Sequence, residues 1–339
     1  VVANKITVVH LNDQWQNDHT ATASHVLASV GIAVRDREYA EEPDALFMDK
    51  SIDLAKFDQQ FAKWRGKPRV LLIYGGDIEC GLADQFQQAY DAQQLEVLRL
   101  LLWKEENKAF IGGDPASAWV KKLRQHLAKQ GVISLVCRRI EVDEIAWGLT
   151  RYLAWKQRFF FDLGKRCDQA GARLEVVSKG LGMDKRVGQG WFISNLLTAD
   201  LYEQSKEWLL KQLLRVVEKT NITHVALWGC PPGYLSLLQD LLPNRQVKLY
   251  VPEFRQNPNV LGTGWIFCDN PVAPLAQADL LLILERNPTT LEIDLTHIVR
   301  EMNQAIVIDA CSMFPLQEME AHSIKYRSYG QNTNVWEWN

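Results

Sequence analysis

Apolar residues along this chain fall into two rhythms: short unbroken runs, and stretches in which apolar positions recur every three or four residues. In the first region, Lys5-Ile6-Thr7-Val8-Val9-His10 reads as a buried strand, followed by a helix over Thr20 to Ser29 and a short strand at Ile32 to Arg35. Arg69 to Tyr74 is a strand ending in Gly75-Gly76-Asp77. Lys108 to Gly112 is another, then a helix from Pro115 to Lys129 and a strand over Val132 to Cys137. Unbroken apolar strands between amphipathic helices predict a parallel sheet.

From Asp143 to about Ala170 there is no proline, and Ile145, Leu149, Tyr152 or Leu153, Phe160 and Leu163 recur at helical spacing. Such a helix would run about 40 Å, longer than a single globular domain needs. The spacing predicts a linker between two domains or a dimer seam. The run Phe159-Phe160-Phe161 wraps too much of the helix for one buried face and favours contact with a second subunit. Beyond Asn221 the strand–helix rhythm returns. Strands are predicted at His224 to Trp228, Val247 to Val251, Trp265 to Cys268, Asp279 to Leu284, Ala305 to Asp309 and Ser323 to Tyr326. Helices fall over Pro231 to Leu242 and Asp294 to Met302, and the tail after Gly330, with Trp336 and Trp338, is expected to dock. The fold class is therefore α/β: two Rossmann-like, doubly wound domains joined by a long central helix, with regions 1–142, 143–220 and 221–339.

Composition narrows the function. Hydrophobic content of 47% and charged content of 23% are those of a globular protein. The net charge of −3 gives no argument for nucleic acid as a partner. No apolar run reaches the roughly 20 residues that span a bilayer, and the expected location is cytoplasmic. The six cysteines are scattered without a C-x-x-C pair and read as reduced thiols, and the seven histidines show no metal-ligand spacing.

A dinucleotide-binding domain carries G-x-G-x-x-G after its first strand, because only glycine lets the pyrophosphate approach the turn and the helix. Here the turn reads His10-Leu11-Asn12-Asp13-Gln14-Trp15-Gln16-Asn17-Asp18, with no glycine until Gly31. No cofactor is expected from it. Gly75-Gly76-Asp77 and Gly112-Gly113-Asp114 could pass for phosphate loops, but strand-to-helix turns account for both.

The segment Gly180-Leu181-Gly182-Met183-Asp184-Lys185-Arg186-Val187-Gly188 resembles the substrate loop of the UDP-glucose/GDP-mannose dehydrogenase family, G-[IM]-x-x-D-x-R-[IV]-G, which leads into G-F-G-G-S-C. The resemblance extends to Ala109 to Ala116, to Glu144 to Asp162, to Cys167 to Ala172, to Ala278 to Leu284, and to Ile306 to Ala310 with Tyr326 and Tyr329-Gly330. The departures fall where the resemblance places chemistry. The nucleophilic cysteine is replaced by Asn195, in Gly190-Trp191-Phe192-Ile193-Ser194-Asn195, and an amide cannot form the thioester of such an oxidation. Aligned on Glu144, the family's lysine and asparagine of the central helix become Trp147 and Arg151, and the lysine–aspartate pair after the cysteine becomes Thr198 and Ala199.

The positions the resemblance leaves for substrate contact are Arg186, Gly188 and Gly190. Arg186 reads either as a retained contact to pyrophosphate or sugar or as a salt bridge fixing its own loop. The resemblance thus implies a homologue that has lost catalysis, homodimeric through Asp143 to Ala170. It would bind a nucleotide-sugar or a protein partner in a setting of surface-polysaccharide synthesis. The alternatives are a divergent NAD-dependent UDP-sugar 6-dehydrogenase, with NAD as cofactor, and a nucleotide-sugar sensor without chemistry.

Overall fold

Strand β1 (Ile6–His10) is flanked on both sides by parallel neighbours, β2 (Ile32–Arg35) and β3 (Ala45–Met48), and helix α1 (Asp18–Ser29) makes the first crossover. Helix α2 (Leu54–Phe61), β4 (Val70–Tyr74), α3 (Leu82–Tyr90), β5 (Glu96–Trp103), β6 (Lys108–Gly112), α4 (Ala118–Lys129) and β7 (Ile133–Cys137) complete a seven-stranded sheet in the order β2-β1-β3-β4-β5-β6-β7. The computed structural model describes residues 6–10, 18–35, 44–51, 54–61, 69–188, 199–231, 233–252 and 264–331. The chain divides into two units, Val1–Arg151 and Tyr152–Asn339, and the division falls inside helix α5 (Arg139–Ala170).

The second unit continues with α6 (Leu174–Gly182), α7 (Ala199–Lys219), β8 (His224–Trp228), α8 (Tyr234–Leu241), β9 (Gln246–Tyr250), β10 (Trp265–Phe267), β11 (Leu280–Ile283), α9 (Pro288–Leu291), α10 (Thr296–Glu301), β12 (Ile306–Asp309), α11 (Leu316–Ala321) and β13 (Lys325–Ser328). Its six strands lie in the order β10-β9-β8-β11-β12-β13, all parallel. That is the doubly wound order in which crossovers run both ways from the first strand. Each strand of β8, β11 and β12 is buried on both faces, which is why it reads as an unbroken apolar run.

The expectation of a parallel sheet needs one amendment in the first unit. Strands β5 and β6 pair antiparallel, because the turn over 104–107 between them is too short for a crossover. Strand β3, and β5 with an arginine in the middle of its apolar run, escape the sequence pattern. The last strand begins two residues later than expected, at Lys325, since Ser323 takes a left-handed conformation (φ 57°) at the end of α11. Helix α5 begins at Arg139, and at 32 residues spans about 48 Å. Of the three phenylalanines, Phe160 and Phe161 are buried against the chain's own residues and only Phe159 is exposed, so most of the aromatic run needs no second subunit. Trp336 and Trp338 lie outside the described residues. Among the described residues no helix is long and apolar enough to cross a membrane.

Two local devices hold the second unit together. Asp279, just before β11, accepts hydrogen bonds from the Thr223 and His224 N–H groups (2.8 and 2.9 Å), the Thr223 hydroxyl (2.8 Å) and the Asn303 amide (3.1 Å). Burial pushes its carboxyl up, but those donors outweigh it and hold the group below the ordinary carboxylate range. Second, Tyr329 stacks on Phe161 at 4.3 Å and its hydroxyl donates to the Phe161 carbonyl, its ring lying against Gly164 of α5.

Two outcomes follow for stability. Because the Asp279 carboxyl is held low in the native state, its contribution is present above the unfolded value of about 4 and is lost as pH falls through the lower native value. Asp279→Asn should therefore flatten the acid side of a thermal-melting profile relative to the parent. Gly164→Ala should destabilise by about 1–3 kcal/mol in denaturant unfolding, despite alanine's better helix propensity, because a Cβ there drives into the Tyr329 ring.

Candidate functional site

In an open α/β sheet, ligands settle beyond the carboxyl ends of the strands where the crossovers reverse direction. In the first unit that point lies between β1 and β3. Three strand ends meet there: His10 closes β1, Asp49 follows β3, and Tyr74 closes β4 ahead of Gly75-Gly76-Asp77. His10 Nε2 lies 2.9 Å from Asp49 Oδ1, with the two side chains 1% and 5% exposed. The rings of His10, Phe47 and Tyr74 form a row across the strand ends, with centroids 5.4 and 6.1 Å apart. Burial, and then the Asp49 charge, push the Tyr74 hydroxyl above its ordinary value, so it remains a proton donor at neutral pH.

The turn after β4 is fixed from beneath. Arg99, in the middle of β5, is fully buried. Its Nη2 donates to the Gly75 carbonyl (2.5 Å), Nη1 to those of Leu100 and Ile73 (3.0 and 3.4 Å), and Nε to Asp143 Oδ1 (2.8 Å). The other Asp143 oxygen accepts the Gly81 N–H at 3.0 Å. Gly75 takes φ 117°, a conformation other residues rarely adopt, and its N–H is spent on the Leu100 carbonyl (3.3 Å). From the other side, Ser51 Oγ accepts the Glu79 N–H at 3.0 Å. The result is a cleft of ≈ 410 Å³ between α1 and the ends of β3 and β4. The glycine-free turn after β1, residues 11–17, lies outside the described residues.

The second glycine pair is structural. A Cβ on Gly112 would meet the Arg139 Cα at 2.7 Å, and one on Gly113 the Leu98 and Val120 side chains at 2.9 Å. Close packing of strand on helix, and no phosphate, explains both.

The described positions named from the sequence make local contacts. Trp147 is 60% exposed on α5, and the Arg151 guanidinium sits over its ring at 5.3 Å. The two therefore pair with each other in a cation–π contact and form no acid–base couple. Arg186 is exposed and locked to Asp184, with Nη2–Oδ2 at 2.6 Å and its own N–H to Oδ1 at 2.9 Å. Gly188 (φ 69°) returns its N–H to the Asp184 carbonyl at 3.0 Å, so this loop is closed by its own contacts. Gly190, Trp191, Asn195 and Thr198 lie outside the described residues. Missed in the sequence were His10, Asp49 and Arg99; an arginine inside Glu96-Val97-Leu98-Arg99-Leu100 was the one available signal.

At the carboxyl edge of the second unit, Gly229 (φ 80°) follows β8 with the Glu285 side chain where a Cβ would stand. The next residue, Cys230, has its thiol pushed up to about 12, by burial first and then by Glu285. Asp309, fully buried, turns inward to the Tyr326 hydroxyl (2.6 Å) and the N–H groups of Cys311 and Met313. All six thiols, at Cys80, Cys137, Cys167, Cys230, Cys268 and Cys311, lie above their ordinary value, with loss of solvation the leading cause in each. Among the described residues no cluster of three or more His, Cys, Asp or Glu could hold a metal ion.

The two-domain Rossmann-like architecture is that of nucleotide-sugar dehydrogenases. The chain is similar to the UDP-glucose dehydrogenase of Pyrobaculum islandicum (TM-score 0.66, 14% identity, covering 92% of this chain and 95% of that one). It is equally similar to the UDP-N-acetyl-mannosamine dehydrogenase Cap5O of S. aureus (TM-score 0.66, 12% identity, 97% and 99%). In sequence, it is 24% identical over 230 residues to the UDP-glucose 6-dehydrogenase TuaD of Bacillus subtilis, covering 56% of this chain and 50% of that protein. The match therefore spans about half the length of this curated relative. No family model matches the chain. Curated and structural neighbours alike point to the UDP-glucose/GDP-mannose dehydrogenase family.

Removing the buried cation tests the foundation of the cleft. Arg99→Met leaves Asp143 buried and unpaired and should cost about 3–5 kcal/mol in denaturant unfolding. The double variant Arg99→Met/Asp143→Asn should recover part of that loss.

Proposed function

We propose that this chain is a nucleotide-sugar dehydrogenase homologue that has lost the oxidation and acts by binding. The observation that carries this reading is the want of an activated sulfur. Residue 195 is asparagine, and each of the six thiols elsewhere is held above its ordinary value. A thiolate attacks; a protonated thiol does not. The Trp147–Arg151 stack supports the same reading, since a cation over an indole supplies neither proton acceptor nor amide at those positions.

In this reading the chain is organised as 1–142, 143–220 and 221–339, the middle region serving as the seam of a cytoplasmic homodimer. The exposure of Trp147, Tyr152, Trp155 and Phe159 along α5 supports the seam. Arg186, Gly188 and Gly190 remain as the contact to a nucleotide-sugar, which fits a role in surface-polysaccharide synthesis.

Incubation with NAD and UDP-glucose, followed by absorbance of the reduced nicotinamide, should show no turnover. Asn195→Cys should be equally inert, because the proton acceptors are missing with the thiol. Reduction of NAD by the unaltered chain overturns the reading.

A further inference from the structure

We propose that the cleft at the carboxyl edge of the first unit binds an uncharged nucleoside and discriminates against its phosphorylated forms. This inference goes beyond the binding reading above and concerns a separate site.

The cleft is built for a small molecule. Its ≈ 410 Å³ lies within the roughly 300–1,000 Å³ of small-molecule sites, at the crossover reversal where such sheets take their ligands. Its walls are prearranged. Asp49 has one oxygen anchored on buried His10, and the other takes no hydrogen bond from a described residue. That free oxygen is an acceptor for hydroxyl donors, and the vicinal hydroxyls of a ribose supply them. The half-buried Tyr74 ring and Val26, both lining the cleft, offer apolar surface to a flat base.

Charge decides against phosphate. Among the residues lining the cleft, Asp49 and Asp77 stand against the single ammonium of Lys50. The Gly75 N–H, which could have faced an anion, is committed to the Leu100 carbonyl, and no glycine precedes Gly31 after β1. A diphosphate in this cleft would meet net negative charge from its described lining, whereas an uncharged nucleoside loses nothing to it.

Calorimetric titration of the intact chain with adenosine, uridine, guanosine and cytidine, and with ADP, UDP, NAD and free ribose, tests it. At least one nucleoside should bind about tenfold or more tightly than its diphosphate and than ribose. Asp49→Asn should weaken that nucleoside by about tenfold or more. Since that change also touches the His10 pair, Gly76→Trp provides a second variant. A Cβ there meets nothing within 4 Å and the backbone is not left-handed, so the added bulk should abolish binding while leaving the melting temperature unchanged.

If no nucleoside binds, if a diphosphate or NAD binds as tightly, or if binding survives both substitutions, the assignment is wrong. The two proposals fail separately: nicotinamide reduction defeats the binding reading, whereas calorimetric silence in a chain that reduces no NAD defeats only this one.

Discussion

A single buried cation organises the first unit. Arg99 stands in the middle of an apolar strand with no exposed surface, and an unpaired guanidinium there would be costly enough to prevent folding. It is tolerated because Asp143 and three carbonyls receive its donors. In meeting that requirement it joins β5, the turn after β4 and the first turns of α5. The shape of the cleft above Gly75 is therefore a consequence of where one charge had to find partners.

The same economy recurs in the second unit. Positions that resemble the family's motifs are used structurally: Asp279 ties the start of β8 to β11, Asp309 folds inward onto Tyr326, and Asp184 holds Arg186 and the turn ending at Gly188. None of these contacts needs a ligand. Such contacts stabilise the fold through donors and acceptors within the chain. The aromatic residues of α5 that remain exposed among the described residues, Tyr152, Trp155 and Phe159, are the conspicuous exception.

Much of the architecture was legible because it rests on local periodicity. The second unit's strands, the long helix and the order of the elements follow from apolar runs and helical spacing. Where the sequence misled, distant partners were responsible. Strand β5 was hidden by its arginine, whose partner lies 44 residues away in Asp143. The reversal between β5 and β6 depends on a short turn, and the aromatic run on α5 looked too broad to bury until Tyr329 came to cover Phe161.

The sequence by itself determined that residue 195 is an amide, that the first turn has no glycine, and that two α/β units share one long helix. These are matters of covalent identity and of spacing along the chain. Only the tertiary structure decided that His10 meets Asp49 across 39 residues, that Trp147 and Arg151 satisfy each other, and that loss of solvation raises all six thiols above their ordinary value. Solvation and charge pairing depend on what lies within a few ångströms in space, and separation along the chain carries no record of it.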